Sequence, residues 1–182
     1  SVSRGLGDVY KRQSGKFIAN VLSNPKVAAA VQTLLANDGL ILGICNGFQA
    51  LIKSGLLPYG DIEKLNADSP TLFRNNINRH VSHMAKTRIT SNKSPWLSSF
   101  TCGECHSIAM SHGEGKFVVS DEMARELFAN GQVATQYVDE DGDPTMNGVY
   151  NINGSSFAIE GITSADGRIL GKMGHSERYE EG

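Results

Sequence analysis

The chain has 182 residues, enough for one domain with a substantial core and too few for two comfortable ones. Its 17 basic and 19 acidic residues nearly cancel and form no basic stripe, which argues against nucleic-acid binding. No apolar run of membrane-spanning length and no signal-peptide pattern stands out, and three cysteines give no disulfide framework, so the composition points to a cytoplasmic protein without a membrane partner.

Residues 1–13 carry Arg4, Asp8, Lys11 and Arg12 without usable periodicity. The stretch Asp8-Val-Tyr-Lys-Arg-Gln13 can be encoded by part of a widely used transposon sequencing adapter. The expected division is therefore a non-native or disordered arm at 1–13 and one partial domain over 14–182. Residues 17–24 have room for a helical turn or two before Pro25. Apolar spacing at Val27, Val31, Leu34 and Leu35 predicts a helix over 26–37, ended by Asn37-Asp38-Gly39. A buried strand is expected over 40–45 and a helix over 47–53, closed by Gly55.

Strands are then expected over 72–79, 80–90, 107–110 and 117–119. Residues 121–130 read as an amphipathic helix, with Ser120 as N-cap and Gly131 as its stop. Further strands are expected over 132–138, 157–163 and 169–173, separated by Asp, Gly and Asn turns. Helices come early and strands later, which suits a mixed sheet with short hairpins.

The chemistry concentrates at Gly43-Ile-Cys45-Asn-Gly47. A strand, a tight turn with Gly on both sides of a thiol, and then a helix make the layout of a nucleophile elbow. The glycines permit a sharp turn and keep bulk away from a substrate. Cys45 would stand at the N-terminus of the next helix, where dipole and free N–H groups favour thiolate. A thiolate nucleophile needs a base. Of the five histidines, His175 in Gly174-His175-Ser176-Glu177 has a carboxylate two residues on, able to fix its tautomer. His-x-Glu alone is a weak signal. Cys102-Gly-Glu-Cys105-His106 spells C-x-x-C-H, but haem attachment needs export and a zinc site needs two more ligands, so it is read as incidental. No phosphate-binding Gly-rich loop is evident.

Several stretches together resemble one family. Leu42-Gly-Ile-Cys-Asn-Gly-Phe-Gln-Ala-Leu51, Ser111-His-Gly-Glu-Gly115, Ala134-Thr-Gln-Tyr-Val138, Asn153-Gly-Ser155 and Gly171-Lys-Met-Gly-His-Ser-Glu-Arg178 occur in the order found in class I (triad) glutamine amidotransferases. Within these, the chain is most similar to the glutaminase domains of phosphoribosylformylglycinamidine synthases. The resemblance implies an α/β, flavodoxin-like amidotransferase core, with a mixed or parallel sheet flanked by helices. It implies Cys45 as nucleophile, His175 as base and Glu177 as its orienting carboxylate. It further implies Asn46, Gly47 and Gln49 at the bound L-glutamine, with the Asn46 N–H as an oxyanion donor.

Ammonia would pass to a synthetase portion, fused or separate, that uses ATP and magnesium to aminate formylglycinamide ribonucleotide. This domain itself would need no cofactor or metal. Such domains draw a second oxyanion N–H from a loop in an upstream βα unit, and that unit is expected to be missing here. Losing one such donor costs about 3 kcal/mol of barrier, so an inactive fragment is one expectation. Other open readings are a different amidotransferase or cysteine hydrolase of the same fold, and a non-catalytic interaction domain. His112 and Glu114 are expected in a loop by the site, and Arg74 and Arg79 at the surface.

Overall fold

A computed structural model describes residues 20, 22, 24–62, 65–73, 81–112 and 115–175. Helix α1, Pro25–Ala36, starts with Asn24 accepting the Lys26 N–H and carries Pro at its first turn. It ends where Asp38 takes positive φ. Strand β1, Ile41–Ile44, leads through Cys45 into α2, Asn46–Ser54, which stops at Gly55 in the left-handed conformation. A single turn, α3, Leu56–Tyr59, follows and is likewise stopped by Gly60 at positive φ.

Strand β2, Thr71–Phe73, pairs antiparallel with β5, Lys116–Val118. The expected strand over 72–79 thus continues only as far as Phe73 within the described residues; 74–80 lie outside them. The long strands β3, Val81–Ile89, and β4, Cys105–His112, form a hairpin whose register runs from Val81 opposite His112 to Arg88 opposite Cys105. Helix α4, Asp121–Ala129, is capped by the Ser120 hydroxyl accepting the Met123 N–H, and Gly131 turns the chain away at positive φ. Strands β6, Val133–Tyr137, β7, Ile159–Thr163, and β8, Ile169–Lys172, complete the set.

Six of these strands make one mixed sheet in the order β1-β8-β7-β6-β3-β4. Only β1 and β8 run parallel; every other neighbouring pair is antiparallel. Interior position explains composition: every residue of β6 and β7 is buried, so these strands lack the polar alternation of a half-exposed strand. One face carries the main core, where Phe48, Leu51 and Ile52 of α2 pack with Phe117, Leu127, Ile159, Ile162 and Ile169. Phe48 stacks on Phe117 with ring centroids 6.2 Å apart, a pair worth about 1 kcal/mol beyond its buried area. The other face is covered by Leu97, Trp96 and Phe100 against Ile89, Ala134 and Leu170. There Ser94 accepts the Trp96 N–H, and the indole N–H donates to the Arg168 carbonyl at 3.1 Å. No helix among the described residues is long and apolar enough to cross a membrane.

Candidate active site

The parallel pairing of β1 with β8 delivers both chain continuations to one sheet edge. Ile44 stands opposite Lys172, and the next amide, Cys45 N–H, donates to the Lys172 carbonyl at 2.9 Å. The Cys45 carbonyl accepts from Gln49 N–H at 3.1 Å, the first bond of α2. Between these two bonds the chain must reverse within one residue. Cys45 therefore sits at φ 59°, ψ −107°, a conformation that costs a non-glycine residue about 1–3 kcal/mol and marks functional turns. The Cys45 side chain is buried, and its place as N-cap puts it beside the N–H groups of the first helical turn.

The two flanking glycines differ in their reasons. A Cβ on Gly43 would meet Leu51 Cδ1 at 2.5 Å and the Gly47 carbonyl oxygen at 2.8 Å, so β1 and α2 approach each other only because residue 43 has no side chain. A Cβ on Gly47 would meet nothing within 4 Å; its smallness keeps space open instead of relieving a contact. Gln49 is buried below the turn and Asn46 is half-buried.

His175 lies three residues beyond the Lys172 carbonyl that holds Cys45. Its N–H donates to the Ala109 carbonyl at 2.8 Å, an isolated antiparallel bridge to β4. The Cys45 backbone is thus fastened to the end of β8, and His175, further along the same chain, is fastened to β4. A Cβ on Gly174 would displace the Ile108 side chain, so the chain passes close to β4 there. Glu177, Glu114, His80, Arg74 and Arg79 lie outside the described residues, and His112 closes β4.

Sequence reasoning missed a polar group at the same edge. Glu160, fully buried at the start of β7, accepts the Gly174 N–H on Oε1 at 2.7 Å and the Thr135 hydroxyl on Oε2. The Lys172 ammonium stands 3.8 Å from Oε1. A buried carboxylate is tolerable only when charge and hydrogen bonds replace water, and here both oxygens are engaged. The signal was legible in principle: Glu160 and Lys172 interrupt otherwise apolar strand segments, Ala158-Ile-Glu-Gly-Ile162 and Leu170-Gly-Lys-Met173.

Tyr137 is fully buried, and its hydroxyl makes a long contact of 3.8 Å to Met110 Sδ. Burial first, then the negative charges of Glu160 and Cys45, push its phenol well above the usual tyrosine range; Asn153 opposes the rise. The Tyr137 phenol therefore stays neutral beside the thiol. The Asn153 amide is buried, and neither its Nδ2 nor its Oδ1 completes a hydrogen bond of good geometry.

The C-x-x-C-H stretch is elsewhere. Cys102 is exposed, Cys105 is half-buried with its thiol 3.6 Å from the Gly103 carbonyl, and His106 Nε2 pairs with Glu104 at 2.7 Å. Among the described residues no group of three or more His, Cys, Asp or Glu side chains could hold a metal ion.

With this geometry in place, comparison with known proteins is decisive for the family. The model of the CobB/CobQ-like glutamine amidotransferase domain matches residues 3–182. The chain belongs to that family. The amidotransferase chain is 32% identical over 161 residues to the phosphoribosylformylglycinamidine synthase subunit PurQ of Nitrobacter hamburgensis, covering 88% of this chain and 64% of the relative. It is 35% identical over 152 residues to the protein of the same name from Gloeobacter violaceus, covering 84% and 60%. Among solved structures it superposes on a chain of PurLQS from Thermotoga maritima with a TM-score of 0.63 and 28% identity, covering 87% of this chain and 60% of that one. The amidotransferase chain therefore spans a little under two thirds of the length of these relatives.

Proposed function

We propose that this chain is the glutaminase part of a phosphoribosylformylglycinamidine synthase. It would hydrolyse L-glutamine to glutamate and ammonia for the ATP-dependent amination of formylglycinamide ribonucleotide. The observation that carries the reading is the strained Cys45 turn, tied by one hydrogen bond to the end of β8, from which the chain runs on to His175 three residues later. The relatives, named as synthase subunits, supply the substrate class.

In this mechanism the Cys45 sulfur attacks the side-chain amide carbon of glutamine, and His175 takes the thiol proton. The tetrahedral oxyanion faces the Asn46 N–H at the start of α2. Collapse of the intermediate breaks the C–N bond, and His175 returns its proton to the departing ammonia. A water molecule, deprotonated by His175, then cleaves the γ-glutamyl thioester and frees the thiol. Glu177 would orient the imidazole, while Asn46, Gly47 and Gln49 would hold the glutamine. ATP and magnesium belong to the synthetase partner, fused or separate, that receives the ammonia, and the compartment is the cytoplasm.

The test is intact-mass and peptide mapping after incubation with a glutamine-analogue diazoketone. One adduct on Cys45, blocked by excess glutamine and absent from Cys45→Ala, is the expected result. Equal labelling of Cys102 and Cys105, or none at Cys45, would remove the glutaminase reading.

A further inference from the structure

Glu160 takes no part in the chemistry above, yet it is fully buried at the active-site edge. Three successive amides there have assigned acceptors. Met173 N–H donates to the Glu160 carbonyl at 3.3 Å, Gly174 N–H to the Glu160 carboxylate at 2.7 Å, and His175 N–H to the Ala109 carbonyl at 2.8 Å. Glu160 therefore holds two of the three residues that carry the chain from β8 to the base.

The other contacts link this hold to the nucleophile. Lys172 accepts the Cys45 N–H on its carbonyl, and its ammonium lies 3.8 Å from Glu160 Oε1. Thr135 on the neighbouring strand closes the second carboxylate oxygen. A Cβ at Gly174 would crowd Ile108 and lie 3.0 Å from Glu160 Oε1, so the glycine lets this carboxylate approach its backbone closely. A hydrophobic residue at 160 would fill the same sheet position without the cost of burying a charge, so stability alone does not account for the carboxylate.

We propose that Glu160 is a positioning residue of the glutaminase site: with Lys172 and Thr135 it fixes the Gly174–His175 backbone and so presents the imidazole to Cys45. The proposal rests on the glutaminase reading given above. Its readouts are amide hydrogen exchange at Gly174 and His175, and the separation of kcat from KM for glutamine hydrolysis.

In the complete chain, Glu160→Ala should keep the fold by circular dichroism while kcat falls about 10²-fold, the effect of a misplaced catalytic group. KM for glutamine should stay within about threefold, because the substrate-binding groups are untouched. Exchange at the Gly174 amide should accelerate about tenfold or more as its acceptor is lost. Glu160→Gln keeps an oxygen for that amide and should recover most of the protection and activity, most fully when paired with Lys172→Met. Should Glu160→Ala unfold, Glu160→Leu, which offers the Gly174 amide no acceptor and buries no charge, takes its place in the same exchange and kinetic comparison. An active wild type whose folded Glu160→Ala or Glu160→Leu variant shows unaltered kcat and Gly174 exchange overturns this proposal alone. A wild type that neither hydrolyses glutamine nor labels at Cys45 overturns the glutaminase reading, and this proposal with it.

Discussion

Gly43 and Gly47 flank the same thiol but answer to different forces, and substitution should separate them. Gly43→Ala drives a methyl into Leu51 and the Gly47 backbone, so a loss of about 1–3 kcal/mol in urea unfolding is expected, as for other overpacked positions. Gly47→Ala meets nothing and replaces a helical glycine, so stability should rise by up to about 1 kcal/mol. Its cost should appear as a higher KM for glutamine, since the space it fills is where the proposed substrate lies. Equal behaviour of the two variants would contradict this division. Tyr137 makes a pH prediction. Its phenol titrates higher folded than unfolded, because burial, Glu160 and Cys45 all disfavour the anion. The unfolded chain then loses the proton first. Stability from this group is complete below the unfolded value near 10 and falls as pH rises from there through the folded pKa. Urea midpoints measured from neutral to alkaline pH should drop above about pH 10, and Tyr137→Phe should flatten that drop.

At the scale of elements, α4 shows what a sequence makes plain. Ser120 precedes Asp121 and Glu122, which favour a helix N-terminus, and the observed cap is the Ser120 hydroxyl on the Met123 N–H. Ser120→Ala should destabilise the protein by about 1 kcal/mol in urea unfolding, with no change in Cys45 labelling. The elbow was equally readable, because strand, turn and helix follow each other locally and each has its own residue signature. The antiparallel arrangement of β6, β7 and β8 was less so. Strand existence followed from apolar runs, but pairing order depends on contacts between distant segments. The proposed site was written in the sequence for Cys45 and His175, whose motifs are contiguous. It was not legible for Glu160, Thr135 and Lys172, which come from three strands and meet only after the sheet forms. A lone charge inside an apolar strand was the one clue, and its partner could not be chosen without the register of β7 against β8, where Gly161 faces Lys172.

At the scale of the whole molecule, the sheet order places β8 between β1 and β7. Strand β1, which ends at the nucleophile, has β8 as its neighbour in the sheet, and β8 comes last in chain order among the described strands. During synthesis on a ribosome, Cys45 emerges early while the strand that must clamp it has yet to be made. The elbow stays untethered until β8 slides into the gap, and His175 arrives on that same piece of chain. Under the proposed mechanism, a half-built polypeptide cannot squander glutamine, because the act that inserts β8 is also the act that arms the thiol.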